Sequence, residues 1–231
     1  MGLAGKLCKC LISCRIFMIA SQFQEPGRDC PLCERLVAFR LQARARHPDW
    51  HNAPVSSFGQ TSARLLIAGL APGLQGANRT GRPFTGDWAG DLLYETLGDF
   101  GFATGTYDER PDDGLQLVDC RITNAVRCVP PENKPVGSEI AACRPFLANT
   151  VKEMTSLKVI VALGKIGHDS VVTALGRRPA HFPFAHHAQH DIGGLRLVDS
   201  YHCSRYNTNT GRLTTPMFRA VFQTVRDILD R

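Results

Sequence analysis

The chain has 231 residues, 43% of them hydrophobic, and a formal charge of +6 at neutral pH. That length supports one compact domain with a sizeable core, and the modest basic excess, carried mostly by Arg, suits a polyanionic partner without demanding one. No apolar run reaches membrane-span length, no internal repeat or low-complexity tract occurs, and nine cysteines favour metal or cluster binding in a reducing cytoplasm over a secreted disulfide framework.

Residues 11–20 are apolar and follow Lys6 and Lys9 in faint imitation of a signal peptide, but Arg15 interrupts them and no small-residue cleavage site follows. Residues 1–28 are therefore expected to be an N-terminal extension, with Met18 as an alternative start, and residues 29–231 to be the functional domain. Cys30 and Cys33 open a predicted helix with apolar Leu32, Leu36, Val37, Phe39 and Leu41, and with Arg at positions 35, 40, 44 and 46. RLLIAGL (64–70) reads as a buried strand, 71–87 as a loop rich in Gly, Asn and Arg, and Trp88–Phe100 as a helix. LQLVDCRITNA (115–125) predicts a second strand. Gly137–Met154 predicts a helix with Ser138 as N-cap and no capping box, since Ala141 stands three residues on. LKVIVAL (157–163) is a third strand running through Gly164 into a helix, LRLVDS (195–200) a fourth, and Thr214–Leu229 the closing helix. Strands alternating with helices predict a three-layer α/β/α sandwich with a short, four-stranded parallel central sheet.

The unusual residues fall just beyond strand C-termini: Gly69–Gly73, Asn124–Cys128 and His202. Open α/β sheets bind ligands at that edge. Cys30 and Cys33 form a CxxC pair that can chelate one centre, with Cys128 and Cys143 as a wider second pair. Spacing alone leaves zinc, a redox dithiol and an iron–sulfur cluster open. Cys120 reads as core, and Cys8, Cys10 and Cys14 belong to the extension.

Three segments, GLAPGLQGANRTGRPFTGD (69–87), ITNAVRCVPPENKP (122–135) and SYHCSRYNTNTGRLT (200–214), with four cysteines in the matching order, resemble the iron–sulfur members of the uracil-DNA glycosylase superfamily, specifically family 5, type B. The resemblance runs from Asp29 to the C-terminus. It implies a monofunctional DNA glycosylase that cleaves the N-glycosidic bond of uracil in base-excision repair. It also implies a structural [4Fe–4S] cluster on Cys30, Cys33, Cys128 and Cys143 that orders a DNA-facing loop. By this resemblance Gly69, Ala71 and Gly73 shape the substrate pocket. Phe84 stacks on the extruded base, Asn124 reads its Watson–Crick edge, and His202 donates to the base oxygen. Ala71 stands where most of the superfamily has a polar residue, so hypoxanthine and xanthine are expected as further substrates. Asp87 is the candidate base or cation stabiliser, with the N-cap of the helix at Trp88 as its competing role, and Asn78 is a second candidate.

The third segment departs from the usual His-Pro-Ser, reading His202-Cys203-Ser204; a nucleophilic Cys203 is not expected, because water is the attacking group. Arg79, Arg82, Arg205 and Arg212 are expected to contact phosphates. His181, His186, His187 and His190 read as a solvated or DNA-facing loop. No lysine is placed for a Schiff base, Lys134 being the nearest candidate. The partner is DNA containing deaminated bases, the protein a cytoplasmic monomer acting at the nucleoid, with no membrane association. Two other readings compete: a zinc-bearing nucleic-acid module, which leaves Phe84, Asn124 and His202 unexplained, and a thiol redox protein, whose CxxC would follow a strand.

Overall fold

The computed structural model describes residues 25–231; residues 1–24, which include Cys8, Cys10, Cys14 and Met18, lie outside the described residues. In chain order the elements are α1 (Glu34–Arg46), β1 (Leu65–Gly69), α2 (Ala77–Thr80), α3 (Trp88–Asp99), β2 (Ala103–Thr104), β3 (Gln116–Leu117), β4 (Cys120–Asn124), α4 (Gly137–Glu153), β5 (Val159–Leu163), α5 (Lys165–Ala174), β6 (Gln189–Ile192), β7 (Leu195–Ser200), α6 (Arg205–Asn209) and α7 (Thr215–Leu229).

The central sheet has the order β4-β1-β5-β7-β6. Its first four strands are parallel, as expected, and β6 adds a fifth, antiparallel to β7. The sequence hid β6 because only Ile192 of its four residues is buried, so no alternation marks it; a Gly193-Gly194 turn folds it back onto β7. β1 is buried throughout. Leu65 and Ile67 face α3 and α7, meeting Leu93, Phe218 and Phe222, while Leu66 and Ala68 face α4 and α5, meeting Leu147 and Val171. These two cores make the α/β/α layers. α7 shows why one face sinks inward: Phe218, Val221, Phe222, Val225 and Leu229 recur at helical spacing. Thr214 caps it by accepting the Met217 amide.

Two boundaries differ from expectation. The second strand breaks at Asp119, which has positive φ. Its carboxylate accepts from the Arg64 amide and guanidinium, so β3 pairs with β2 while β4 enters the main sheet. α4 begins after Val136, not Ser138: the Glu139 carboxylate accepts the Val136 amide and, on its other side, binds Arg35 of α1. A third apolar cluster, Leu36, Val126, Cys128, Cys143 and Phe146, joins α1 to α4.

Candidate active site

The parallel strands deliver their C-terminal ends to one edge, where a cavity of about 580 Å³ opens. Ala71, Gly73, Asp87 and His202 line it, and so do Asn133, Lys165 and Ile166, which the sequence did not single out. Gly69 and Asn124 form the last rung of the β1–β4 ladder. A Cβ on residue 69 would stand 2.5 Å from Asn124 Oδ1 and 2.6 Å from Phe84 Cζ, so only glycine lets the amide and the ring come this close. Asp87 is similarly seated: a Cβ at Gly73 would approach its Oδ2 to 3.0 Å, and one at Gly76 would collide with it.

Phe84 adopts a left-handed backbone (φ 52°), a conformation costing on the order of 1–3 kcal/mol in a non-glycine residue. The surrounding loop holds it there. Tyr94 donates to the Pro83 carbonyl (2.6 Å) and Tyr107 to that of Phe84 (3.3 Å). Arg82 is the anchor. Its guanidinium makes paired hydrogen bonds to Asp113 (2.8 and 2.7 Å), donates to Thr85 Oγ1, and lies over the rings of Phe58, Tyr94 and Tyr107. Its side chain is 6% exposed. This corrects the phosphate-contact expectation for Arg82: the charge is consumed by a buried carboxylate. Asn78 is buried and donates to Asn52 Oδ1 (2.9 Å), tying α2 to the segment after α1, while its own Oδ1 has no partner. Arg79, Arg205 and Arg212 are exposed. Arg205 sits over Trp88 on the cavity rim, Arg212 over Tyr201, and Arg79 donates to the Gln75 carbonyl.

Three buried polar atoms around this edge have no hydrogen-bond partner: Asn124 Oδ1, His202 Nδ1 and Asp87 Oδ1. Each such orphan costs about 1–3 kcal/mol if nothing meets it, so three together mark atoms kept for a ligand. The His202 ring lies 5.9 Å from that of Phe84, nearly parallel. Burial pushes its pKa down to about 4, so the imidazole is neutral at physiological pH. Burial raises the Asp87 carboxyl, against the pull of the amides of Gly90 and Ala89. Asp87 holds the N-cap position of α3, yet makes no side-chain cap hydrogen bond. The first amides of α3, those of Ala89 and Gly90, still act on this carboxylate, so the capping role shares it. Cys203 turns the other way: it is wholly buried, donates to the Ala89 carbonyl, and has its thiol pushed far up by burial, the opposite of an activated nucleophile.

The histidine segment buttresses the fold. His190 in β6 and His168 in α5 flank the Asp199 carboxylate, with His168 Nδ1 at 2.7 Å from Oδ1 and His190 Nε2 at 3.3 Å from Oδ2. His168 Nε2 meets the Phe182 carbonyl at 2.7 Å. A carboxylate and a carbonyl take up the two ring nitrogens of His168, within its metal-like grouping with His190 and Asp199. His187 bonds Thr224, and His186 accepts the Tyr201 amide. Lys134 is exposed beside Glu132, and Lys165 on the rim is paired with Asp169 at 2.6 Å; neither is desolvated as a Schiff-base lysine must be.

Sequence reading missed the exposed apolar residues here: Trp88 and Ile166 on the rim are 48% and 39% exposed, and Tyr206, next to the rim residue Arg205 in sequence, is 72% exposed. Trp88 Nε1 donates to Thr208, linking α3 to α6. Each stands at a helix start, where an apolar residue gives no sign of facing out.

Cys30, Cys33, Cys128 and Cys143 are free thiols gathered between α1, the turn after β4, and α4. Burial raises Cys33 to about 11 and Cys128 to about 12, and the neighbouring thiols add to both shifts. A buried thiol set whose members repel one another as thiolates calls for a cationic centre. Four cysteine sulfurs brought together in this way are a donor set that fits tetrahedral zinc or an iron–sulfur cluster.

Residues 56–226 match the family model of the uracil DNA glycosylase superfamily. The Type-5 uracil-DNA glycosylase of Thermus thermophilus is 43% identical over 199 residues, covering 83% of this chain and 90% of the relative. That of Pyrobaculum aerophilum is 36% identical, covering 84% and 87%, and that of Mycobacterium bovis 39% identical, covering 86% and 78%. A Type-4 uracil-DNA glycosylase from Thermotoga maritima is 31% identical over 154 residues, covering 63% and 67%. With glycine-made room for Phe84 and Asn124, unpartnered polar atoms on the same sheet edge, and these matches along most of its length, the chain belongs to the uracil DNA glycosylase superfamily.

Proposed function

We propose that this protein is a monofunctional DNA glycosylase that hydrolyses the N-glycosidic bond of uracil, and also of hypoxanthine and xanthine, in base-excision repair of deaminated DNA. The observation that carries this reading is the set of unpartnered polar atoms at one sheet edge: Asn124 and His202 beside Phe84, and Asp87 on the cavity wall near Gly73.

A base extruded from the duplex, at a cost of a few kcal/mol, stacks on Phe84. Asn124 offers both amide atoms to its Watson–Crick edge. The C1′–N bond breaks with its electron pair leaving on the base. A neutral His202 donates an N–H to the developing anion, needing no reorganisation because burial already fixes its charge state. Asp87, one oxygen unpartnered, takes the proton of the water that attacks C1′ and faces the cationic sugar. Gly73 keeps the wall thin beside Asp87, Gly69 makes room for Asn124 and Phe84, and Ala71 adds no polar side chain that would exclude a purine. Cys30, Cys33, Cys128 and Cys143 would hold a [4Fe–4S] cluster, which when bound supplies a rigid brace across α1, the β4 turn and α4. Arg79, Arg205 and Arg212 meet the phosphates of the DNA. The protein works as a cytoplasmic monomer; among the described residues no helix is long and apolar enough to cross a membrane.

The test is base release from a uracil-containing duplex by anaerobically purified protein beside Asn124→Ala, His202→Ala and Asp87→Asn. Loss of about 100-fold or more in each variant is expected. Equal release by wild type and variants would overturn the site. Absence of hypoxanthine release from an inosine duplex would confine the activity to uracil.

A further inference from the structure

α1 carries three arginines with partners on neighbouring elements. Arg35 pairs with Glu139, and Arg44 with Asp29. Arg40, the most buried of them at 3% exposure, meets no carboxylate within salt-bridge distance among the described residues. Residues 1–24 contain no Asp or Glu, so none can come from there. Its Nη1 donates to Cys128 Sγ at 3.5 Å and its Nη2 to the Cys30 carbonyl at 3.0 Å, while Nε has no partner. A guanidinium keeps its charge, and burying it without an anion is strongly unfavourable. Arg127, buried next to Cys128 in sequence, has Glu25 as counter-ion. Asp29 acts on Arg40 through space, but its carboxylate is hydrogen-bonded to Arg44, so the group in direct contact with the Arg40 charge is the Cys128 sulfur.

We infer that Arg40 is the counter-ion of the cluster proposed above: it balances the net negative charge of four thiolates on an iron–sulfur core and clamps two of the ligand segments, through the Cys128 sulfur and the Cys30 carbonyl. This rests on the cluster assignment and extends it. The oxidised cluster with its thiolates is already an anion, and one added electron makes it more so. A buried cation in contact with a ligating sulfur therefore favours the reduced form and opposes escape of the Cys128 thiolate. The role belongs to the charge, not to the bulk of the side chain.

The experiment uses the full chain purified anaerobically, as wild type, Arg40→Gln, Arg40→Lys and, as a charge-removal control on the same helix, Arg44→Gln. Two quantities are read: the midpoint from a dithionite titration followed by electron paramagnetic resonance, and the rate of iron transfer to a ferrous chelator. Arg40→Gln should lower the reduced-to-oxidised ratio at fixed potential about tenfold, which is about 59 mV for one electron. It should release iron about 10-fold or more faster. Arg40→Lys should keep the wild-type midpoint, and Arg44→Gln should match wild type in both. If Arg40→Gln loses its iron outright while Arg40→Lys retains it, the inference holds. If both lose it alike, or if iron-loaded Arg40→Gln matches wild type in both measures, the inference falls and the cluster stands. Wild type purified without iron would overturn the cluster assignment itself, and this inference with it.

Discussion

Gly69→Ala isolates the site from the fold with a single methyl group. The added Cβ would lie 2.5 Å from Asn124 Oδ1 and 2.6 Å from Phe84 Cζ, each about 1 Å inside ordinary contact. Neither neighbour can yield easily. Asn124 is the last residue of β4, in register with Gly69 itself, and Phe84 sits on a left-handed backbone pinned by the Arg82–Asp113 pair and two tyrosine hydroxyls. Overpacking of this kind typically costs about 1–3 kcal/mol of stability. The catalytic cost should be larger, because the displaced groups are those proposed to stack on and read the base, and a misplacement near 1 Å can cost about 100-fold. The expected outcome is a folded protein with uracil release reduced about 100-fold. Urea denaturation should give the stability change, and single-turnover assays on a uracil-containing duplex the rate. Gly98→Ala is the control, since its Cβ meets nothing within 4 Å on an exposed turn of α3. It should leave release unchanged and stabilise by up to about 1 kcal/mol. Unimpaired release by Gly69→Ala would refute the placement of Phe84 and Asn124 against the base.

Other consequences can be measured in parallel. Asp113→Ala leaves the Arg82 charge buried and unpaired and should cost about 3–5 kcal/mol in urea melts, with loss of base release as the Phe84 loop loosens. The hydrogen bond from Arg82 holds the Asp113 carboxyl far below its usual range, so this contribution should persist above the ordinary carboxyl pKa near 3.8 and fade only as pH falls further. His202 has the opposite linkage to a paired histidine. Its folded pKa of about 4 lies below the unfolded 6.5, so stability is full above pH 6.5 and falls as pH drops towards 4. Between pH 7 and 5 wild type should lose about 2 kcal/mol that His202→Asn does not lose. At His168 burial opposes the charge, but Asp199 and the Phe182 carbonyl outweigh it and raise the pKa. The stability gap between wild type and His168→Ala should therefore be largest below pH 6.5 and shrink as pH rises through the folded pKa.

The sequence exposed the parallel sheet through buried apolar runs, and it drew attention to Phe84, Asn124 and His202 through three motif-bearing loops. Side-chain direction was not legible. Arg82 and Arg79 sit in the same glycine-rich stretch, but Arg82 turns inward to an aspartate 31 residues away and Arg79 stays exposed. Nothing local separates them, because the deciding partner belongs to a distant loop. The same holds for α1, where four arginines look alike until the fold buries Arg40 against a sulfur 88 positions on. β6 was hidden because an edge strand with one apolar residue has no period to detect. The histidine segment reads as polar loop for the reason that makes it structural: its polar groups are spent on Asp199, Thr224 and the Tyr201 amide.

The pairing of Gly69 with Asn124 as the terminal rung of β1 and β4 has a consequence for how such a protein can diverge. The gap between the Asn124 amide, proposed to read the base, and the wall opposite is gauged by a backbone ladder, whose spacing no side chain alters. Crossovers, helix surfaces and the β2–β3 hairpin can therefore lengthen, shrink or change composition while the tolerance of the pocket stays fixed. A slip of one residue would put Thr123 or Ala125 in place of Asn124 and swap the faces of the whole strand. Drift at this position is all-or-none, and gradual retuning of substrate choice is left to the loops above it.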